Sequence, residues 1–190
     1  MQVGVHSEVG PLKRVVVHRP GPEIVRMTQF ELDRLLFDDI LAPEVAGQEH
    51  DVMCEILASE GAKVDDIATL LAAALERAPS EVVGDLVHRV ADRSAHPELA
   101  PLLAELAPPV LARALIEGLT WNELPDAPLT LARLRAGFDG RDTMALAPLP
   151  NLVFTRDPCI SVYDRVLVGR RRSPSWCLPT GFRPVIRSSG

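Results

Sequence analysis

The sequence predicts a mixed α/β fold carrying an inserted block of short helices, and three observations lead there. A β-branched run near the start is followed by a helix-spaced segment and then by a second short apolar run. Strand character returns only after about residue 150, and the stretch from about residue 65 to 137 is built from helix-spaced leucines divided by prolines. Strand, helix and strand in that order belong to an α/β module rather than a bundle, because each sheet face needs a helix to cover it.

The elements follow in order. Residues 12–18, Leu-Lys-Arg-Val-Val-Val-His, closed by Arg19-Pro-Gly-Pro22, read as a buried strand running into a turn. Thr28-x-x-Glu31 spells a capping box ahead of Leu32, Leu35 and Leu36, so a short helix is expected there. From about residue 45 to 60, Val52, Ile56 and Leu57 keep helical spacing, and Gly61 stands where a helix stop belongs. Ala62-Lys-Val-Asp65 is the second strand. In the helical block, Ile67, Leu70, Leu71 and Leu75 share a face, as do Val83, Leu86, Val87 and Val90, then Leu99, Leu102, Leu103 and Leu106. Pro79, Pro97 and Pro108-Pro109 mark the breaks, because proline cannot continue a helix interior. Thr120-x-x-Glu123 is another capping box, and Leu129, Leu131 and Leu134 suggest a last helix before Gly137. Asn151-Leu-Val-Phe-Thr155 and residues 160–168 read as strands. No self-similarity at a fixed period marks a repeat solenoid.

Composition limits the function classes. A hydrophobic content of 47% in 190 residues is ample for a packed core, and a formal charge of −6 gives no electrostatic footprint for nucleic acid. No apolar run approaches the roughly 20 residues needed to span a bilayer. No basic segment followed by a long apolar one opens the chain, so neither nucleic acid nor membrane is an expected partner and a cytoplasmic location is expected. Three cysteines, Cys54, Cys159 and Cys177, are odd in number and lack metal-ligand spacing, which argues against disulfides or structural zinc. The five histidines show no i, i+4 pair, so no metal and no cofactor is expected. Charge is uneven: 14 basic against 26 acidic residues leave −12 over residues 1–164, while residues 165–190 hold six arginines and no acid. From Arg170 the chain shows neither period nor caps and is expected to be a disordered basic tail. Either it is a native recognition tail or, slightly favoured, a segment read in a shifted frame.

The stretch that carries chemistry is Ala147-Pro-Leu-Pro-Asn151-Leu-Val-Phe154-Thr-Arg156-Asp157-Pro158. Its prolines fix the approach, and Pro158 restrains Asp157 to extended geometry, so a carboxylate is aimed from what reads as a strand end. An ionised Asp accepts two parallel N–H bonds from a planar guanidinium, which would orient an arginine-like cation. By spacing alone the commoner alternative is an Asp157 that pairs with Arg156 or caps a turn.

Asn-x-x-Phe-Thr-Arg-Asp-Pro resembles the substrate-binding signature of arginine deiminases, and other segments agree in order. Val5-His-Ser-Glu-Val-Gly-Pro-Leu-Lys-Arg-Val-Val-Val-His-Arg-Pro-Gly21 looks like that family's first strand, residues 31–40 resemble its ELLFDD segment, and Gln48-Glu-His-Asp51 resembles the start of its first large helix. The resemblance runs over residues 3–169. It implies an incomplete pentein-type α/β propeller of ββαβ modules, here residues 1–66 and 145–169, with a small α-helical subdomain inserted at 67–144 and the anomalous tail at 170–190.

The implied reaction is hydrolysis of L-arginine to L-citrulline and ammonia in arginine catabolism. A Cys nucleophile attacks the guanidinium carbon, ammonia leaves, and water hydrolyses the S-alkylthiouronium intermediate. Such chemistry needs two carboxylates on the cation, a His as general acid and base, and a thiolate near positive charge. Carried over by motif, Asp157 is the first substrate carboxylate, Asn151 and Phe154 line the pocket and Leu36 lies near its mouth, with L-arginine or a related guanidinium compound as ligand. Arg156 is expected to be structural. The family's nucleophilic Cys follows a Gly-rich, His-containing stretch near its C-terminus, and its catalytic His and second carboxylate come from middle modules. None has a counterpart in these 190 residues, so no catalytic residue is assigned and the chain is expected to be a fragment inactive by itself. Cys159 and Cys177 are not expected to replace the nucleophile. Arg170-Arg-Arg172 sits too close behind Asp157 to match the family's arginine clamp.

Two alternatives remain at this level: a noncatalytic protein that binds an arginine-like cation or acts as an interaction surface, and a fragment related to amidinotransferases. An open propeller would leave strand edges and module faces bare, so self-association is expected.

Overall fold

Arg14, Val15, Val16 and Val17 form the first strand, β1 (Arg14–Val17), because β-branched side chains favour extended backbone. The computed structural model describes residues 4–7, 9–27, 42–124, 144–156 and 158–168. The expected helix after Thr28, the ELLFDD-like segment with Leu36, the last helix before Gly137, Asp157 and the basic tail lie outside these residues.

β1 leads through Arg19-Pro-Gly into a one-turn helix, α1 (Pro22–Val25), with Pro22 in its first turn, where a missing N–H is harmless. Helix α2 (Pro43–Ser59) again begins on proline and ends before Gly61, whose φ of +87° is the left-handed geometry of a helix stop. Strand β2 (Lys63–Asp66) then pairs parallel to β1, with Arg14 opposite Lys63 and Val17 opposite Asp66. Parallel neighbours need a long crossover, and α2 supplies its helix. Lys63 N–H extends the pairing to the Lys13 carbonyl at 2.9 Å, and Arg14 is salt-bridged to Asp65.

Four helices follow: α3 (Ile67–Arg77), α4 (Ser80–Arg93), α5 (Leu99–Ala104) and α6 (Pro108–Glu117). The Asp66 side chain caps α3 by accepting the Thr69 N–H at 3.0 Å, so the end of β2 is also the start of the helical block. Pro79 stands at the N-cap of α4 and Pro108 in the first turn of α6, as the proline breaks predicted. α3 packs on α6, and α4 on α5. Their apolar faces meet in a core of Leu75, Val87, Leu99, Leu103 and Leu111, with Trp121 and Leu146 closing it. The periodic leucines therefore point where their spacing requires.

After α6, Gly118 adopts φ +76°, and a Cβ there would stand 2.5 Å from the Leu146 carbonyl oxygen. Only glycine fits that turn, which lets β3 (Leu119–Thr120) pair antiparallel with β4 (Met144–Leu146). The Thr120/Glu123 capping box forms as expected, but it caps a 3-10 turn (Trp121–Glu123). Two predicted strands differ. Asn151-Leu-Val-Phe-Thr155 is not extended: Pro150–Val153 form a 3-10 turn, since Pro150 fixes φ near the helical value and the Leu149 carbonyl accepts the Leu152 N–H at 3.0 Å. Residues 160–168 are not one strand but a hairpin of β5 (Cys159–Val162) and β6 (Arg165–Val168). Tyr163, at φ 52°, takes the left-handed geometry that tight hairpin loops require. Val5 bridges to Tyr163 through two 2.9 Å backbone bonds and brings the N-terminal segment to this turn. The described residues thus hold three two-stranded sheets and no closed sheet, in a mixed helix and strand fold.

Arg26 ties α1 to the helical block. Its guanidinium donates to the Gly118 carbonyl at 2.6 Å and to Glu123 Oε1 at 2.6 Å. Burial pulls the Glu123 pKa up, but the Thr120 N–H, the Arg26 guanidinium and the Thr120 hydroxyl outweigh it and hold the carboxyl below its ordinary value.

Two predictions follow from this packing. Leu103→Ala should cost about 2–5 kcal/mol in urea unfolding, against about 0.5 kcal/mol or less for Val82→Ala on the exposed side of α4. Glu123 has a depressed folded pKa, so its contribution is present above the ordinary carboxyl value and lost as pH falls through the folded one. Glu123→Gln should lower the melting temperature at neutral pH, with the gap to the parent closing as pH falls below the ordinary carboxyl value.

Candidate functional site

The segment singled out by sequence is held at both ends. At its start the Leu149 N–H donates to the Ile116 carbonyl of α6 at 2.9 Å. At its end the Thr155 hydroxyl donates to the Val16 carbonyl of β1 at 3.0 Å. The turn between them spans the helical block and β1. Asn151 is buried in the 3-10 turn, while Phe154, whose N–H bonds the Asn151 carbonyl at 3.1 Å, is about half exposed. These two predicted pocket residues are therefore brought together, one turned in and the other out. Arg156 is exposed beside them. Leu36 and Asp157 lie outside the described residues, and Cys159 enters as a backbone position of β5.

A second polar group, which sequence reasoning passed over, gathers where β1 ends. His18 and Glu23 are both buried, and His18 Nε2 lies 3.2 Å from Glu23 Oε1. Glu23 Oε1 also accepts the Gly21 N–H at 2.7 Å. His18 Nδ1 is buried with no hydrogen-bond partner among the described residues, 3.9 Å from Asp66 Oδ2. On α2, the Cys54 sulfur lies 3.5 Å from His50 Nδ1, one helical turn away. The i, i+4 spacing of these two was legible, whereas the five-residue separation of His18 and Glu23 across a Pro-Gly-Pro turn gave no periodic signal.

Electrostatics define what this group can do. Burial first, and the nearby His18 and Arg19 charges after it, push the His50 pKa down, with Asp51 and Asp66 opposing. Burial, Asp51 and Asp66 push the Cys54 thiol up. A raised thiol pKa leaves less of the thiolate, which is the nucleophilic form. At the helix surface Arg19 grips Asp51 through two bonds of 2.9 and 3.0 Å and holds its carboxyl below the usual range. The Arg19 guanidinium lies flat against Gly47, where a Cβ would come within 2.7 Å of it. His88 is exposed on α4, and His96 packs edge-on against Trp121 at 5.0 Å. Among the described residues no group of three or more His, Cys, Asp or Glu side chains could hold a metal ion, and no helix is long and apolar enough to cross a membrane.

Comparison with known proteins bears on both segments. The arginine deiminase family model matches residues 33–175, which include the clamped segment and α2. Arginine deiminase of Mycobacterium tuberculosis (strain H37Rv) is 39% identical over 172 residues, covering 88% of this chain and 43% of the relative. The Mycobacterium avium (strain 104) enzyme is 38% identical over 177 residues, with the same coverage, and that of Rhodococcus opacus (strain B4) 34% over 188 residues, 97% of this chain and 46% of the relative. The chain thus spans less than half the length of the curated relatives it matches. With a family match over most of its residues, aligned to the N-terminal part of those relatives, the chain belongs to the arginine deiminase family.

Proposed function

We propose that this chain is the arginine-recognising N-terminal portion of an arginine deiminase, the enzyme class that hydrolyses L-arginine to L-citrulline and ammonia, and that these 190 residues do not turn over substrate alone. The observation that carries the reading is the segment Asn151-Leu-Val-Phe-Thr-Arg-Asp157, lying inside the matched region, whose residues 149–155 are pinned between α6 and β1. Asp157 accepts the guanidinium N–H pair, Asn151 and Phe154 line the pocket, and Leu36 covers its mouth. Asp157 fixes the cation but supplies no electrons to the guanidinium carbon. That step needs a thiolate, with a histidine to protonate the departing ammonia, and neither has a counterpart here.

The same reading extends to the architecture. Residues 1–66 and 145–169 make up part of a pentein-type propeller, residues 67–144 its helical insertion, and residues 170–190 a tail outside the fold. Arginine catabolism in the cytoplasm is the setting that fits. The isolated chain self-associates. Val52, Met53 and Ile56 on the outer side of α2 are exposed, and parallel strands are ordinarily buried within larger sheets than the β1–β2 pair.

Three outcomes are expected. Purified chain incubated with L-arginine forms no citrulline, and Asp157→Ala and Cys159→Ala behave alike. Turnover lost on Cys159→Ala would instead reveal a rearranged active site and refute the assignment. Sedimentation velocity should give species larger than the monomer, reduced by Ile56→Asp; a lone monomer contradicts self-association. Thr155→Val, which removes the hydroxyl that joins the motif to β1, should cost about 1 kcal/mol in urea unfolding, while Thr155→Ser restores most of it.

A further inference from the structure

Two contacts tie the chain on either side of Asp157 to one N-terminal stretch. Before Asp157, the Thr155 hydroxyl donates to the Val16 carbonyl at 3.0 Å. Strand geometry explains why that carbonyl can accept. Polar groups alternate sides along a strand, and the Lys13 carbonyl is turned toward β2, where it takes the Lys63 N–H at 2.9 Å. Val16, three residues on, therefore presents its carbonyl at the outer edge of β1. After Asp157, the turn of the β5–β6 hairpin is bonded to Val5 in both directions: the Val5 N–H donates to the Tyr163 carbonyl and the Tyr163 N–H to the Val5 carbonyl, each at 2.9 Å. The His6 ring lies beside the Tyr163 ring, with centroids 5.5 Å apart and planes tilted by 59°.

The N-terminal contacts bury little. Residues 4–7 and 9–13 are exposed, Tyr163 is 61% exposed, and none of them belongs to the leucine core of the helical block. Apolar burial drives folding, so a backbone tie with so little of it bears on where the hairpin sits more than on whether the helices form. The hairpin needs such a tie. It is a two-stranded sheet of its own, and a lone two-stranded hairpin is marginal in water.

We propose that the N-terminal arm, through the backbone of Val5, is a positioning element for the guanidinium ligand Asp157. β1 fixes the chain before Asp157 at Thr155, and the arm fixes the chain after it through the β5–β6 turn. The proposal rests on the assignment of Asp157 to the guanidinium and adds to it a residue outside the family match at residues 33–175. Paired N–H bonds to a carboxylate are directional, and a ligand group that samples several orientations binds more weakly by the fraction of time spent in the right one. Holding both flanks removes that cost. Val5 touches no ligand, and its side chain is not the part that acts: the backbone N–H and carbonyl are.

The test is calorimetric titration of L-arginine into the full chain, with urea unfolding followed by far-UV ellipticity alongside. Val5→Pro removes the N–H that reaches Tyr163, while Val5→Ala keeps it. Parent and Val5→Ala should bind alike, and Val5→Pro should bind on the order of tenfold more weakly with the urea midpoint of the helices unchanged. Asp157→Ala should abolish binding. A parent that does not bind, or an Asp157→Ala chain that binds as the parent does, refutes the pocket assignment and the positioning role with it. Binding that is lost in Asp157→Ala but kept in full by Val5→Pro overturns the positioning role alone. So does a weakening shared equally by Val5→Ala, or one accompanied by a lowered urea midpoint, because either outcome makes the arm a part of the packing.

Discussion

The parallel pairing of β1 with β2 is the constraint on which the rest of the described structure depends. It joins residues about fifty positions apart, Val15 with Val64 and Val17 with Asp66, and it is closed only because α2 can span the return. Once the register is set, several consequences are fixed at once. Asp66 arrives at the N-terminus of α3, where it caps the helix, and stands opposite the end of β1, where His18 waits. Arg14 reaches Asp65, and the Val16 carbonyl is left pointing toward Thr155. A register slip of one residue would turn Asp66 to the opposite face and undo the cap, the histidine contact and the salt bridge together.

Among the described residues, short, charged or directional contacts tie the helical block to this pair. Arg26 spans from α1 to the Gly118 carbonyl and Glu123, and Gly118 can be approached because no side chain intervenes. The clamped segment behind β4 adds the other bridge, with Leu149 on α6 and Thr155 on β1. Helices with a local leucine core can fold within themselves, while their placement on the strand pair relies on a few polar anchors.

Legibility in the sequence followed the physical range of each signal. The helices α2 to α6 were readable because leucine and valine recur at 3.6-residue spacing and proline and glycine stand at their ends, all local effects. β1 and β2 were readable from β-branched composition, yet their parallel register was not, since register depends on residues about fifty positions apart. The stretch around Asn151 was misread as a strand. Its apolar residues suit either state, and Pro150 with the Leu149 carbonyl decides for a 3-10 turn. The hairpin at residues 159–168 was merged into one strand because Tyr163, not an ordinary turn residue, adopts φ 52°, and Asp164 alone is a weak turn signal. In the site, the Asn151–Arg156 segment was singled out by resemblance, whereas the His18–Glu23 pair was not, because a buried hydrogen-bonded pair leaves no spacing rule behind it.

The measurement that reaches the foundation of this account is backbone NOE spectroscopy on isotope-labelled chain across the β1–β2 seam. The account predicts interstrand contacts in parallel register, Val15 with Val64 and Val16 with Asp65, accompanied by slow exchange of the Lys63 amide bonded to the Lys13 carbonyl. Contacts in antiparallel order, a shifted register, or no contact between these segments would contradict it, and the cap, the histidine cluster and the anchoring of the Asn151–Thr155 segment would fall with it.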